Sequence, residues 1–222
     1  MGIRAPLIAS MLLLAGMVLV STWTLIPDGA RIAVHFDLAG NPNGFAPKSI
    51  ALTVMPLVAL IVIFVFVLAG VGPQKSSRPL TEMPAFVVGW LGTMLILALA
   101  HIGIVMFARG VWINMTGNVA FFVGLLFAVL GNFLGKTERN NFVGIRTGWT
   151  MSSDYSWEKT NRLGGWIMVG VGFATLATLA CAGPKLAQGV LLGGSLLLVV
   201  ICVPLSRYYW KRDPDRQDLG RG

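Results

Sequence analysis

Ile50-Ala-Leu-Thr-Val-Met-Pro-Leu-Val-Ala-Leu-Ile-Val-Ile-Phe-Val-Phe-Val-Leu-Ala-Gly-Val-Gly72 is the stretch that decides the fold of this chain. The hydrocarbon core of a bilayer is about 30 Å thick and takes roughly 20 apolar residues of α-helix to cross. Five further runs qualify: Ala5 to Ile26, Met83 to Phe107, Gly117 to Gly135, Leu163 to Ala182 and Gly189 to Ser206. The expectation is an all-α integral membrane protein, a bundle of six transmembrane helices joined by short polar connections.

Composition agrees. Of 222 residues 55% are hydrophobic and only 12% charged, and the mean hydropathy of +0.76 is out of reach for a domain with a fully polar surface. A net charge of +8 would suggest nucleic acid in a soluble protein. Here its distribution matters more. Arg4, Lys75, Arg78, Lys136, Arg139, Arg146, Lys159, Arg162, Arg207, Lys211, Arg212, Arg216 and Arg221 fall on one side of six alternating spans, against Arg31, Lys48, Arg109 and Lys185 on the other. The positive-inside bias then predicts cytoplasmic N- and C-termini in a plasma membrane. The basic tail, residues 207–222, reads as an orientation signal near anionic lipid, with no direct nucleic-acid partner.

The first span follows a short N-terminus with one basic residue, as a signal peptide would, but it is longer than a usual h-region and no small-x-small cleavage site follows, so it is read as retained. Trp23, Trp112, Trp166 and Trp210 suit interfacial belts. Cys181 and Cys202 fall at opposite ends of the last two spans, too far apart in depth for a disulfide, and form no metal site. Gly131 and Gly135, and Gly189 and Gly193, have the small-xxx-small spacing of close helix packing, within the bundle or at a dimer interface. The oligomeric state is open.

Between the first two spans lies Ile26-Pro-Asp-Gly-Ala-Arg-Ile-Ala-Val-His-Phe-Asp-Leu-Ala-Gly-Asn-Pro-Asn-Gly-Phe-Ala-Pro-Lys48. Arg31 to Leu38 alternates as a short strand does, and Gly40-Asn-Pro-Asn-Gly44 supplies turn chemistry, so a short ordered outer loop is predicted. The stretch resembles the DUF1648 domain, whose pattern His35, Phe36, Gly40, Gly44 and Lys48 match, with Ala33 where that pattern has Pro. His35, Phe36, Asp37, Gly40, Asn41, Gly44 and Lys48 are the outer-loop binding candidates.

A second polar segment joins the fourth and fifth spans: Gly131-Asn-Phe-Leu-Gly-Lys136, then Asn140-Asn-Phe-Val-Gly-Ile-Arg-Thr-Gly-Trp-Thr-Met-Ser-Ser153, then Asp154-Tyr-Ser-Trp-Glu-Lys-Thr-Asn-Arg162. Ser152 or Ser153 is placed to cap a helix whose first turn carries Asp154, with Tyr155 and Trp157 expected at the headgroup level. This segment resembles the SdpI family in Asn132, Lys136, Asn141, Gly144, Ile145, Arg146, Thr147, Trp149, Thr150, Ser152, Trp157 and Thr160. Gly148 stands where the family has Pro, which should loosen the turn, and Asn161 stands where it has His.

The resemblance implies a binding protein without catalysis. It would give immunity against a secreted, membrane-active toxin peptide met outside, and signal reception in which a cytoplasmic autorepressor is held at the inner face. The inner candidates are the motif residues above, Ser152 excepted. Arg146 suits bidentate anchoring of a carboxylate or phosphate, or else pairing with Glu138, Asp154 or Glu158, or with lipid phosphate. His101, well inside the third span, is either a proton or ion relay or a neutral hydrogen-bonded imidazole. It carries the alternative reading, a proton- or ion-coupled small-molecule transporter. No His-Glu-x-x-His, Gly-x-Ser-x-Gly or Gly-x-x-x-x-Gly-Lys-Ser/Thr motif is present, and no cofactor is implied. The chain divides into a DUF1648-like region (1–72), a third span with its loops (73–116), an SdpI-like region (117–206) and the tail.

Overall fold

The computed structural model describes residues 2–73, 77–111 and 113–217. Lys75, Trp112, Asp218 and Arg221 lie outside them. Among the described residues six helices are long and apolar enough to cross a membrane: α1 (Arg4–Thr22), α2 (Lys48–Val71), α3 (Pro84–Ala108), α4 (Met115–Leu134), α6 (Asp154–Ala182) and α7 (Pro184–Arg212). A one-turn helix, α5 (Gly148–Met151), lies in the α4–α6 connection. The chain is a multi-pass membrane protein.

Several boundaries differ from the sequence reading, and α7 already begins at Pro184, five residues before Gly189. Helix α1 stops at Thr22, four residues early, leaving Trp23 and Leu25 exposed. Helix α6 begins at Asp154, so the surface segment before Leu163 is the first turns of the span. Helix α7 runs on to Arg212, and the first residues of the basic tail are helical.

The outer loop is a β-hairpin, β1 (Arg31–Phe36) and β2 (Pro42–Pro47), paired antiparallel. The turn falls on 37–41 rather than on Gly40–Gly44, and Pro42 already opens the second strand. The reason is local: Asp37 Oδ1 accepts the amides of Ala39 and Asn41, both at 2.8 Å, and closes the turn upstream.

Within the membrane the bundle has two halves. In α1–α3 the core is Met17, Ala59, Ile63, Phe86, Trp90 and Met94, with Phe66, Phe86, Trp90 and Phe142 in mutual ring contact at 5.1 to 6.0 Å. A polar clamp ties the three helices. Pro56 has no N–H, which orphans the Leu52 carbonyl one turn earlier. Ser21 Oγ on α1 donates to that carbonyl at 3.0 Å. With its proton so engaged, Ser21 Oγ accepts from Nε2 of the fully buried His101 on α3 at 2.9 Å.

The second half, α4, α6 and α7, is built on a glycine seam. A Cβ on Gly165 would lie 2.5 Å from the Gly131 carbonyl, and one on Gly172 2.5 Å from that of Gly124. No larger residue fits where two backbones touch, and this contact replaces the hydrophobic force that lipid cannot supply. Gly131 and Gly135 thus pack inside the bundle. Gly189 and Gly193 do not, since a Cβ on either meets nothing within 4 Å among the described residues. Cys181 and Cys202 are free thiols.

Candidate functional site

The two polar segments end up at opposite ends of the bundle. At one end the hairpin rests on the span ends: Phe36 packs edge-on against Phe107 at 5.1 Å, and Thr116 Oγ1 donates to the Asp37 carbonyl at 3.0 Å. At the other, Phe142 and Val143 of the motif loop pack on the core cluster with Ile3, Leu80 and Met83.

Most outer-loop candidates shape the hairpin. Gly40 has φ +88°, a conformation that glycine tolerates. Gly44 pairs with His35, whose Cβ would be 2.9 Å from a side chain there. Asn41 caps the turn with its own amides on Asp37, and these bonds hold the Asp37 carboxyl below its ordinary range. Lys48 closes the base, donating to the Ile26 carbonyl at 2.6 Å and pairing with Asp28 at 2.8 Å, which lowers the Asp28 pKa. Ala33, where the family pattern has Pro, is buried and paired with Phe45. His35 is exposed, its Nδ1 bonded to Asn43 Oδ1. Beside it a cavity of about 260 Å³ opens between hairpin and spans, lined by Val34, His35, Phe36, Leu38, Ile104, Met115, Thr116, Val119 and Gln188 among others.

The motif loop is folded from within. Buried Asn140 accepts the amides of Phe142 and Val143 at 2.8 and 2.7 Å and donates to the Glu138 and Val143 carbonyls. Gly144 has φ +134°, and a Cβ there would lie 2.6 Å from the Trp157 ring. Asn161 accepts from the Ile145 amide at 2.7 Å and donates to the Trp157 carbonyl at 3.0 Å. Thr147 and Thr150 form a reciprocal capping box at the start of α5. Thr147 Oγ1 lies 3.0 Å from Ser206 Oγ on α7, and Arg207 stands over the Trp149 ring at 6.0 Å. Ser153, of the two serines, caps α6, and its hydroxyl donates to Asp213 at 2.5 Å. That bond lowers the Asp213 pKa.

Several expectations change. Trp157 does not face outward: it is buried inside the protein, and Nε1 donates to the Thr137 carbonyl at 2.8 Å. Gly144 leaves the gap its ring fills. Of the carboxylates offered to Arg146, Glu138 pairs with Arg78 and Asp154 with Arg139. The Arg146 guanidinium instead donates to the Asn141 carbonyl, and it makes no ion pair among the described residues. Gly148 sits at the first helical position of α5 behind a capped Thr147, so the turn is held without Pro. Thr160 is buried under the loop. Asn132 and Lys136 lie apart from this cluster, in a groove between α4 and α6 with Glu158, Arg162 and Trp166. The sequence reading missed Asn140 and Asn161 as the loop's organisers. An Asn flanking a glycine-containing turn was the available signal.

A six-helix membrane bundle with an ordered hairpin at one end and an internally hydrogen-bonded motif loop at the other defines a multi-pass membrane protein. Residues 11–60 match DUF1648, a domain of unknown function, and residues 136–206 match the SdpI/YfhL protein family. The chain is also similar to the immunity protein SdpI of Bacillus subtilis (strain 168), 22% identical over 180 residues that cover 81% of this chain and 84% of the relative. The likeness to the SdpI family thus rests on residues 136–206 and on this relative, and that to DUF1648 on residues 11–60. No solved structure matches it.

Proposed function

We propose that the chain is an immunity protein of the plasma membrane, which protects the cell from a secreted, membrane-active toxin peptide met at the hairpin end. The similarity to an immunity protein along most of both chains supports the role. The observation that carries the location is the cavity under the hairpin. Apolar walls from Val34, Phe36, Ile104, Met115 and Val119 lie beside the polar groups of His35, Thr116 and Gln188, which suits an amphipathic peptide arriving along the membrane surface. In this reading the hairpin end faces outward, because Arg78, Lys136, Arg139, Arg146, Lys159, Arg162 and the helical residues 207–212 crowd the opposite end.

The motif loop then faces the cytoplasm and presents Asn141 and Arg146, both exposed, to a soluble repressor held at the membrane on toxin binding. The transport reading has less support. His101 Nε2 is engaged by Ser21 in a structural clamp, and the acidic residues of the described spans lie at a helix end, in Asp154 and Glu158.

The test is expression in a sensitive host challenged with a panel of secreted, membrane-permeabilising bacterial peptides. The wild-type chain is expected to raise survival against at least one member, and His35→Ala to lower that protection at equal folded protein. Killing curves unchanged across the panel, with membrane expression verified, would refute immunity. Full protection by His35→Ala would move the contact away from the hairpin.

A further inference from the structure

The groove between α4 and α6 at the motif-loop end has about 590 Å³ of space and charged walls that the fold does not use. Its floor is the end of the glycine seam, where a Cβ on Gly135 would lie 2.8 Å from Arg162 Cα. That contact sets Lys136 level with Arg162, and the Gly131–Gly165 contact sets Asn132 level with Trp166. Asn132, Lys136, Glu158, Arg162 and Trp166 are all exposed. Among the described residues the side chains of Asn132, Glu158 and Arg162 make no hydrogen bond or ion pair, and Lys136 only stands over the Phe133 ring at 5.7 Å. An amide and a guanidinium near a span end are costly if left without partners. Both are open to a polar ligand from outside the chain.

The order of the groups says which. Glu158, Arg162 and Trp166 follow at four-residue steps along α6, each about 6 Å deeper. From the loop inward the groove therefore offers a carboxylate, then two cations, then an amide donor and an indole, then apolar Val169. An aminophospholipid presents the complementary series from the aqueous phase inward: a primary ammonium, a phosphodiester, ester carbonyls and acyl chain. A phosphatidylglycerol-type lipid fits less well, because it sets no cation against Glu158.

We propose that this groove binds a single ethanolamine-bearing phospholipid of the adjacent leaflet. Arg162 and Lys136 hold the phosphodiester by charge-assisted hydrogen bonds. Asn132 Nδ2 donates to a phosphate or ester oxygen, Glu158 accepts from the ammonium, and the Trp166 ring lies along the glycerol and upper acyl chain. The site is independent of the peptide contact at the far end.

Native mass spectrometry of the full chain in detergent tests this, with dioleoyl phosphatidylethanolamine, phosphatidylglycerol and phosphatidylcholine offered at equal concentration. The expected result is a one-lipid adduct that favours ethanolamine over glycerol by about fivefold, the upper end of what one exposed ion pair discriminates. Glu158→Gln should abolish that preference while keeping phospholipid binding. Lys136→Gln with Arg162→Gln should weaken all three lipids, with an unchanged melting temperature certifying the fold. Equal adducts of the ethanolamine and glycerol lipids on the wild type would overturn the proposal, as would a preference that survives Glu158→Gln. Displacement of every lipid by millimolar inorganic phosphate would also overturn it, by making the groove a site for the free anion.

Discussion

Replacing Gly144 by Ala is the sharpest probe of how the motif loop is held. The substitution acts twice. Ala at φ +134° occupies backbone space that L-residues rarely adopt, a strain of about 1–3 kcal/mol. Its methyl would also lie 2.6 Å from Trp157 Cη2 and 2.9 Å from Asn161 Oδ1, and overpacking of this kind costs about 1–3 kcal/mol. The two are not additive, because one backbone shift relieves both. A net loss of about 2–4 kcal/mol is expected, and for a chain of this size each kcal/mol moves the melting temperature by about 2–4 °C. The assay is thermal unfolding of purified protein in detergent, followed by tryptophan fluorescence, with Gly170→Ala as the control. A Cβ on Gly170 meets nothing within 4 Å, so the control should not fall below wild type, and the helix propensity of Ala favours a small rise. A Gly144→Ala melting temperature that likewise does not fall below wild type would refute the account of the loop as a body packed on Trp157.

Two other predictions follow from the geometry. Gly148→Pro should stabilise the chain by about 0.4–1 kcal/mol: position 148 opens α5, where a missing N–H costs nothing, and Thr147 already has the extended ψ of 164° that a residue before Pro prefers. A lowered melting temperature would show that the glycine is needed. The hairpin turn should loosen in acid. The Asp37 carboxyl is held below the ordinary carboxylate range by the amides it accepts, so its stabilising contribution is complete above that range and is lost as pH falls through the lower, folded pKa. Hydrogen exchange at the Ala39 and Asn41 amides, corrected for intrinsic rates, should be protected at pH 5 and 7 and lose protection only below about pH 4. Loss of protection already at pH 5 would contradict the assignment.

The spans were legible because a long apolar run is sufficient evidence by itself: no partner has to be known for the lipid to accept it. The second hairpin strand was not. Pro42-Asn-Gly-Phe-Ala-Pro47 has poor strand propensity, and it is extended because β1 and the Asp37 turn dictate its path. The burial of Trp157 was not legible for a related reason. An indole near a span end fits the interfacial rule, whereas its burial depends on Gly144 and the Thr137 carbonyl, both distant in sequence. The motif residues that bear the family likeness were readable as a set. Their division between the loop and the α4–α6 groove was not, since it follows from the register of the glycine seam. Gly165, opposite Gly131, was the missing clue.

Helix α7 touches both ends of the molecule. Gln188 stands in the wall of the cavity beneath the hairpin, and some 27 Å further along the helix Ser206 and Arg207 meet the motif loop, followed by Asp213 on Ser153 and the Gln217 amide on the Ser152 carbonyl at 2.9 Å. The helix that walls the cavity therefore also anchors the loop, with Pro204 inside it just before the loop contacts. The two ends of the bundle are thus joined by a single element.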